Sequence, residues 1–511
     1  MTDWTAGYVA DIGYTYGYYT ELNPLRLRLP LLAAGIVFPE IDTACELGFG
    51  QGMSIGMHAA ASGRRWYGTD FNPAQAGFAQ EMAAASGAQA YLFDQAFAEF
   101  CTRNDLPDFD YIGLHGIWSW ISDENRALIA DFIHRRLKVG GVLYISYNTQ
   151  PGWTTMLPMR ELLTEHAEVM GASGQGIISR IDAALDFAER MLATNPLYGR
   201  VNPQVAERIK RMKEQNRNYL AHEYFNRDWH PMSFSRMREW LMPAKLSYAC
   251  SAHYVDHVDA VNLSEGQQQF LRDIADPMFR EMTRDFMCNT QFRRDYWIKG
   301  ARKYDAIERI EHLRNQRIML QNVRDAVELK ASGALGEAKL NEGVYVPILD
   351  LLADYKPRTL GQIEQALQGK GIVFAQVLQA AMILIGKGDV GVVQEDAAAA
   401  KARRSTDKLN LHLMNKSRGS NDIVYLASPL TGGAITVNRF QQLFLLARSQ
   451  GKKSPAEWAQ LSWQYLAALN QRLTKEGKTI ESAEENLAEL TRQASEFADK
   501  RLPILMALQV V

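Results

Sequence analysis

Along the first ~150 residues, short apolar runs of strand length alternate with stretches whose apolar positions recur at helical spacing, the pattern of a parallel α/β sheet. Strands are predicted at Asp42–Leu47, Arg65–Asp70, Ala88–Phe93, Phe109–Leu114 and Val142–Tyr147, the last introduced by the Gly140-Gly141 turn. After the first strand, Gly48-Phe-Gly-Gln-Gly52 opens a helix of small residues running through Ala61, and Asn72-Pro73 starts the next helix. From Thr154 to Tyr224 the pattern is helical: Ile177, Ile178, Ile181, Ala184, Leu185, Ala188 and Leu192 share a face, and Pro196 ends the run. Arg208, Lys210, Arg211, Lys213 and Arg217 read as a solvated helix face. Residues 225–300 mix short helices with a strand at Lys245–Ala252, and Gly333 and Gly336 mark a boundary after a charged connector. Beyond it, Val346–Ala353, Leu360–Leu367 and Phe374–Ile385 form short amphipathic helices, followed by apolar Val390–Val393 and a strand candidate at Ile423–Ala427. Three helices and a hairpin predict a winged helix, with Ala397–Ala402, Arg403 and Arg404 as a flexible wing tip. The remainder is helical and ends in apolar Leu502–Val511. The expected architecture is an α/β Rossmann-like sheet domain (1–153), a helical and α+β middle domain (154–330) and a winged-helix-like C-terminal domain (340–511).

Composition narrows the function classes. At 511 residues the chain exceeds what one core serves. Its 47% hydrophobic and 22% charged content excludes a disordered chain, a collagen-like fibre or a long coiled coil. A net charge of −2 provides no global field for nucleic acid or an anionic membrane. No apolar run reads as a membrane span, and the first residues lack the basic and apolar regions of a signal peptide. Cys45, Cys101, Cys250 and Cys288 lie far apart with no Cys-x-x-Cys, which excludes a zinc ribbon or iron–sulfur cage and fits a reducing compartment. A cytoplasmic protein without a metal is expected.

The chemistry concentrates at the ends of the first strands. Glu46-Leu-Gly48-Phe-Gly50-Gln-Gly52 leaves a strand and opens a helix, and glycines there let backbone approach a ligand closely. The acid immediately before the loop and the G-x-G-x-G spacing argue against a dinucleotide fingerprint. Asp70, ending the second strand, suits ribose hydroxyls, and Asp94-Gln95, ending the third, suits an adenine edge. This ordered set is the layout of a class I S-adenosylmethionine (SAM) methyltransferase.

The strings His115-Gly-Ile-Trp-Ser-Trp120 and Leu137-Lys-Val-Gly-Gly-Val-Leu-Tyr-Ile-Ser-Tyr-Asn-Thr-Gln-Pro-Gly-Trp153 resemble the bacterial methyltransferases that carry a methyltransferase regulatory domain, a family that includes rickettsial protein-lysine methyltransferases acting on an outer-membrane protein. His222-Glu-Tyr through Phe286-Met-Cys-Asn-Thr-Gln-Phe-Arg293 is similar to the regulatory domain. Ser428-Pro-Leu and Leu502-Pro-Ile-Leu sit where the family's C-terminal domain has similar strings. Two departures stand out. Phe49 replaces a smaller residue, and Tyr14-Thr-Tyr-Gly-Tyr-Tyr-Thr-Glu-Leu-Asn-Pro24 lacks the family's prolines and has Asn23 where histidine is frequent. The second puts acceptor identity in doubt.

The resemblance implies SAM as cofactor and S-adenosylhomocysteine as product, held by Tyr14, Glu46, Gly48, Phe49, Gly50, Gly52, Asp70, Phe71, Asp94, Gln95, His115 and Gly116. It implies a protein lysine as acceptor; a small-molecule or glycan hydroxyl is the rival. His115 and Asn148 are the catalytic candidates, and Tyr19, Trp118 and Tyr147 the substrate-binding ones. His115 reads equally as a base and as a loop-holding hydrogen bonder. The N-terminal tyrosines read as a cover for a cation or as packing. Trp118, Trp120 and Trp153 read as core or pocket wall, and Asn148 as an acceptor contact or a strand cap. The helix Phe374–Ile385 contains no Arg or Lys, which disfavours DNA binding. A protein acceptor, no nucleic acid and no membrane insertion are expected, and homodimerisation stays open. The C-terminal module is expected to recognise the acceptor and contribute nothing to cofactor binding.

Overall fold

The computed structural model describes residues 15–171 and 174–511. The five predicted strands form as β1 (Thr43–Leu47), β2 (Arg65–Thr69), β3 (Ala90–Phe93), β4 (Phe109–Leu114) and β5 (Leu137–Asn148). They run parallel, with β1 between β2 and β4. All five residues of β1 are buried, because helices cover both faces of a parallel sheet. Two more strands complete it: β6 (Leu246–Ser251), as predicted, and β7 (Phe292–Lys299), which the pattern did not announce. The order is β3-β2-β1-β4-β5-β7-β6, with β7 antiparallel to both neighbours. The sheet thus runs past the boundary expected at residue 153 and takes its last two strands from the segment read as a separate insert.

Helix α1 (Met53–Ser62) follows the glycine loop, and every one of its residues is buried. Beside it lies α2 (Pro73–Ser86), whose N-terminal amides are accepted by the Asn72 side chain. The helix Ile177–Ala193 buries Ile181, Ala184, Leu185 and Ala188 against Val205, Ile209 and Met212 of the helix Pro203–Glu214. Most of the basic run is a solvated face, where Lys213 pairs with Asp186 at 2.8 Å and Arg217 with Asp182 at 2.6 Å, but half-buried Arg208 lies over the Trp153 ring at 3.8 Å.

Three C-terminal helices form as predicted, at Glu342–Leu352, Leu360–Leu367 and Phe374–Lys387. The wing does not. Val390–Val392 pairs with Arg317–Leu320, from before the helices, and Tyr425–Ser428 pairs instead with Gly433–Thr436. The residues read as a wing tip lie in a continuous helix, α3 (Asp396–Lys416). Its buried positions Ala399, Ala402, Thr406, Leu409 and Leu413 keep helical spacing. Leu409 and Leu413 share a core with Met53, Met57 and Ala60 of α1 and Met82 of α2. Lys416 and His412 reach Glu81 on α2 at 3.0 and 3.4 Å. The C-terminal part therefore roofs the helix that follows the glycine loop. Among the described residues no helix is long and apolar enough to cross a membrane.

Candidate functional site

The parallel strands end on one edge, and the loop after β1 turns there through positive φ at Gly48 (+70°), Gly50 (+58°) and Gly52 (+71°). A Cβ at Gly48 would lie 2.8 Å from Ile117, and one at Gly52 would lie 2.3 Å from the Ala79 Cβ on α2. Only glycine fits. The Gly48 amide donates to the Thr69 carbonyl at 2.9 Å, and the buried Phe49 ring lies over Gly68. Asp70 clasps the loop: its Oδ2 accepts from the Gly50 amide at 2.9 Å and its Oδ1 from the Asn72 amide at 3.0 Å. Burial raises the Asp70 carboxyl to about 6, against the pull of those two amides. Glu46 is buried beneath the loop, and its Oε2 has no hydrogen-bond partner. Burial, and then the Asp70 charge, push its carboxyl well above the usual range.

At the ends of β2 and β3, Phe71 is half-buried and Asp94 exposed. The Gln95 amide donates to Thr69 Oγ1 at 3.2 Å, while its side-chain oxygen accepts from Arg103 at 3.1 Å. Gln95 is thereby anchored, and Asp94 is left on the surface beside it.

His115, following β4, has the densest surroundings. Tyr19 stacks on its ring at 3.9 Å between centroids, Tyr144 Oη lies 2.7 Å from its Nδ1, and Phe292 stands edge-on at 5.9 Å. Glu21 pairs with Arg294 at 3.4 Å within electrostatic reach of the ring. Burial pulls the imidazole down to about 4; Glu21 opposes this and Arg294 adds to it. His115 is therefore neutral at neutral pH. Burial also works to raise the Glu21 carboxyl, but Arg294, His115 and Arg26 together hold it below its usual value. The Gly116 amide, at φ +68°, donates to Ser146 Oγ at 2.8 Å and fixes the turn after His115.

The N-terminal tyrosines divide by direction. The Tyr19 amide donates to Ser54 Oγ on α1 at 2.9 Å, which holds its ring over His115. Tyr16 and Tyr18 pack the other way: Tyr16 meets Phe78, and Tyr18 Oη lies 3.1 Å from His58 Nε2 and beside Tyr425. Burial moves Tyr18 up to about 12 and His58 down to about 3, so both are neutral. Tyr14 lies outside the described residues.

The sheet's pleat separates residues that are adjacent in sequence. On β5, Val142 and Tyr144 face the side with His115, whereas Leu143, Ile145 and Tyr147 face the opposite core. Tyr147, expected to contact substrate, lies on the face away from His115, where its hydroxyl donates to Asp295 at 2.9 Å. Trp118 is likewise core, wholly buried and edge-on to Trp240. Asn148 is buried at the end of β5. Its amide donates to Ser119 Oγ at 2.9 Å, its carbonyl accepts from the Met232 amide, and its side-chain Nδ2 has no partner. The sequence reading missed Glu21, Tyr144, Phe292 and Arg294. Tyr144 was findable from parity with Tyr111 and His115 on one face. The other three are brought in by an N-terminal strap and by β7, and carry no local signal.

Residues 216–299 match the model of a predicted methyltransferase regulatory domain. An uncharacterised protein of Synechocystis sp. is 40% identical over 512 residues, covering 99% of both chains. An uncharacterised protein of Rickettsia prowazekii is 26% identical over 294 residues, covering 55% of this chain and 51% of that protein. The structure of PKMT2 from Rickettsia typhi in complex with AdoHcy superposes with a TM-score of 0.69 at 17% identity, covering 95% of this chain and 98% of that one.

Proposed function

The chain belongs to the family of class I SAM-dependent methyltransferases that carry a methyltransferase regulatory domain, and on that footing we propose that it methylates lysine side chains of a protein. The cofactor half rests on the loop after β1, which turns through three glycines at positive φ with two buried carboxylates beside it. Glu46, with its unpartnered oxygen, suits the cofactor's ammonium group. Asp70 spends one lone pair of each oxygen on the loop and keeps the others for ribose hydroxyls. Asp94, exposed at the end of β3, suits the adenine edge. The fold neighbour solved with AdoHcy, the demethylated product, is consistent with this assignment.

When bound, SAM supplies an electrophilic methyl on a sulfonium, so the protein's task is in-line positioning and exclusion of water. The observation that carries the lysine reading is the aromatic enclosure of Tyr19, His115, Tyr144 and Phe292. Aromatic faces attract a cation, and burial lowers an ammonium's pKa until the free amine is accessible. With its imidazole near 4, His115 is a poor proton acceptor at neutral pH. It orients the acceptor amine, with Tyr144 fixing the ring, and the proton leaves to solvent. The unpartnered amide of Asn148 offers a second polar contact to the acceptor. Incubating the full chain with radiolabelled SAM and host lysate, followed by protein hydrolysis, should place label in N-methyl-lysine. Label confined to small molecules or glycans would overturn the lysine assignment and favour a hydroxyl acceptor.

A further inference from the structure

At the β7–β6 end of the same sheet edge lies a cavity of about 450 Å³, walled by those strands, the helix Pro277–Cys288 and the turn Ser332–Ala334. Its charges do not balance. Arg293 is buried on β7 and contacts Asp285 at 2.8 Å, Asp295 at 3.0 Å and Glu281 at 3.0 Å. One guanidinium meets three carboxylates, and the Tyr248 and Tyr147 hydroxyls, which burial keeps protonated, close the cluster. Of the wall's other arginines, Arg294 holds Glu21 at 3.4 Å, and Arg284 holds Asp259 at 2.5 Å with its charge also reaching Glu281. His253 pairs with the wall's fourth acid, Asp256, at 3.0 Å.

The imbalance focuses on one atom. Asp285 is 3% exposed; its Oδ1 takes the Arg293 guanidinium, while its Oδ2 has no hydrogen-bond partner. Asp285 lines the cavity. Burial lifts its carboxyl to about 6, so the group is still ionised at neutral pH. A buried anionic oxygen without a donor is costly, and a positively charged donor removes that cost.

We propose that this cavity binds an alkylammonium group, with Asp285 Oδ2 as its acceptor and Glu281 and Asp295 supplying the surrounding negative field. A metal ion fits less well. Among the described residues no group of three or more His, Cys, Asp or Glu is placed to hold one, and the central guanidinium would repel it. An ammonium brings N–H donors on a slim stem, and Val255, Cys250 and Phe292 give the wall apolar surface for methylenes. The same chemistry belongs to a protein's lysine side chain and to a free amine such as a polyamine.

Calorimetric titration of the full chain tests the site with n-butylammonium as probe and 1-butanol as its uncharged control. The ammonium should bind and the alcohol should not. Asp285→Asn should weaken binding by about tenfold or more while SAM affinity stays unchanged, which separates this site from the cofactor site. Glu281→Gln, at a partly exposed carboxylate, should weaken binding less and serves if Asp285→Asn does not fold. Absence of butylammonium binding, equal binding of the alcohol, or wild-type affinity in both variants would overturn the proposal. Addition of butylammonium to the methylation assay, run in parallel on Asp285→Asn, separates the two sources: competition with a protein acceptor that is lost in the variant identifies its lysine as the occupant, and unchanged methylation, or competition that the variant keeps, identifies a free amine.

Discussion

On the β3-β2-β1 side, the sheet is covered by α1 and α2 and then by α3 from far along the chain, with Met53, Met57, Met82, Leu409 and Leu413 at the contact. On the β5-β7-β6 side, the cluster around Arg293 sits at the strand ends, where charge replaces apolar contact. Apolar contact is non-directional and roughly proportional to area, so the first side tolerates substitution and suffers mainly from wholesale exposure. A buried ionic cluster behaves in the opposite way. Removing a single member leaves the others charged and uncompensated, although the intact cluster contributes little net stability. The same contrast separates the two carboxyls that burial raises to about 6: both Asp70 oxygens are satisfied by loop amides, whereas Asp285 keeps one unsatisfied.

Ending the chain after Lys330 breaks this comparison most completely. The sequence-based expectation was a stable cofactor-binding fragment, but α3 and the strands beyond it share the core of α1 and α2. The fragment should aggregate or melt without a cooperative transition and should show no saturable SAM binding in calorimetry. A folded fragment with full SAM affinity would mean that the two regions are independent. Arg293→Met comes next. It should lower stability by ~3–5 kcal/mol in urea denaturation, because three carboxylates lose their common cation. A loss below about 1 kcal/mol would place the cluster among solvated surface pairs.

Asp70→Asn probes the other side more gently. An amide cannot accept at both positions, so one loop N–H would face an NH₂. SAM affinity should fall by roughly ten- to a hundredfold and the melting temperature by a few degrees; unchanged affinity would remove Asp70 from the cofactor site. The smallest effect concerns His115. Unfolded, it binds a proton near 6.5, and folded only near 4. The unfolded state therefore takes up the extra proton, and this group's contribution to stability falls as pH drops from about 6.5 towards 4. His115→Gln should flatten that segment of the stability–pH curve. It should also leave turnover rising with pH, since the acceptor amine and not the imidazole sets that limb; loss of the pH dependence in the variant would make His115 the base.

Much of the first side was legible because its signals are local. The G-x-G-x-G spacing, the acids at Glu46 and Asp70, and the apolar runs of β1 to β5 each lie within a few residues of the feature they specify. The strand β7 was illegible for a physical reason. Its buried positions include Arg293 and Asp295, so neither a continuous apolar run nor a polar–apolar alternation marks it. Partners on β5, β6 and the helix Pro277–Cys288 make those charges tolerable. The error at α3 was of another kind. Its helical period was present in Ala399, Ala402, Thr406, Leu409 and Leu413, but alanines flanked by lysine and arginine were read as a flexible tip.

The sequence by itself determined the parallel sheet, the glycine turn and the acids beside it, because backbone conformation and pleat parity follow from residue type and spacing. Tertiary structure alone decided what lies on each face of the sheet, as with Leu143 and Tyr144, of which only the second meets His115. It also decided that Tyr19, Glu21 and Arg294 meet at His115, and that the last third of the chain roofs the cofactor helix. Those outcomes depend on contacts between segments far apart in the chain, and the strength of a buried charge or ring depends on neighbours that no local pattern encodes.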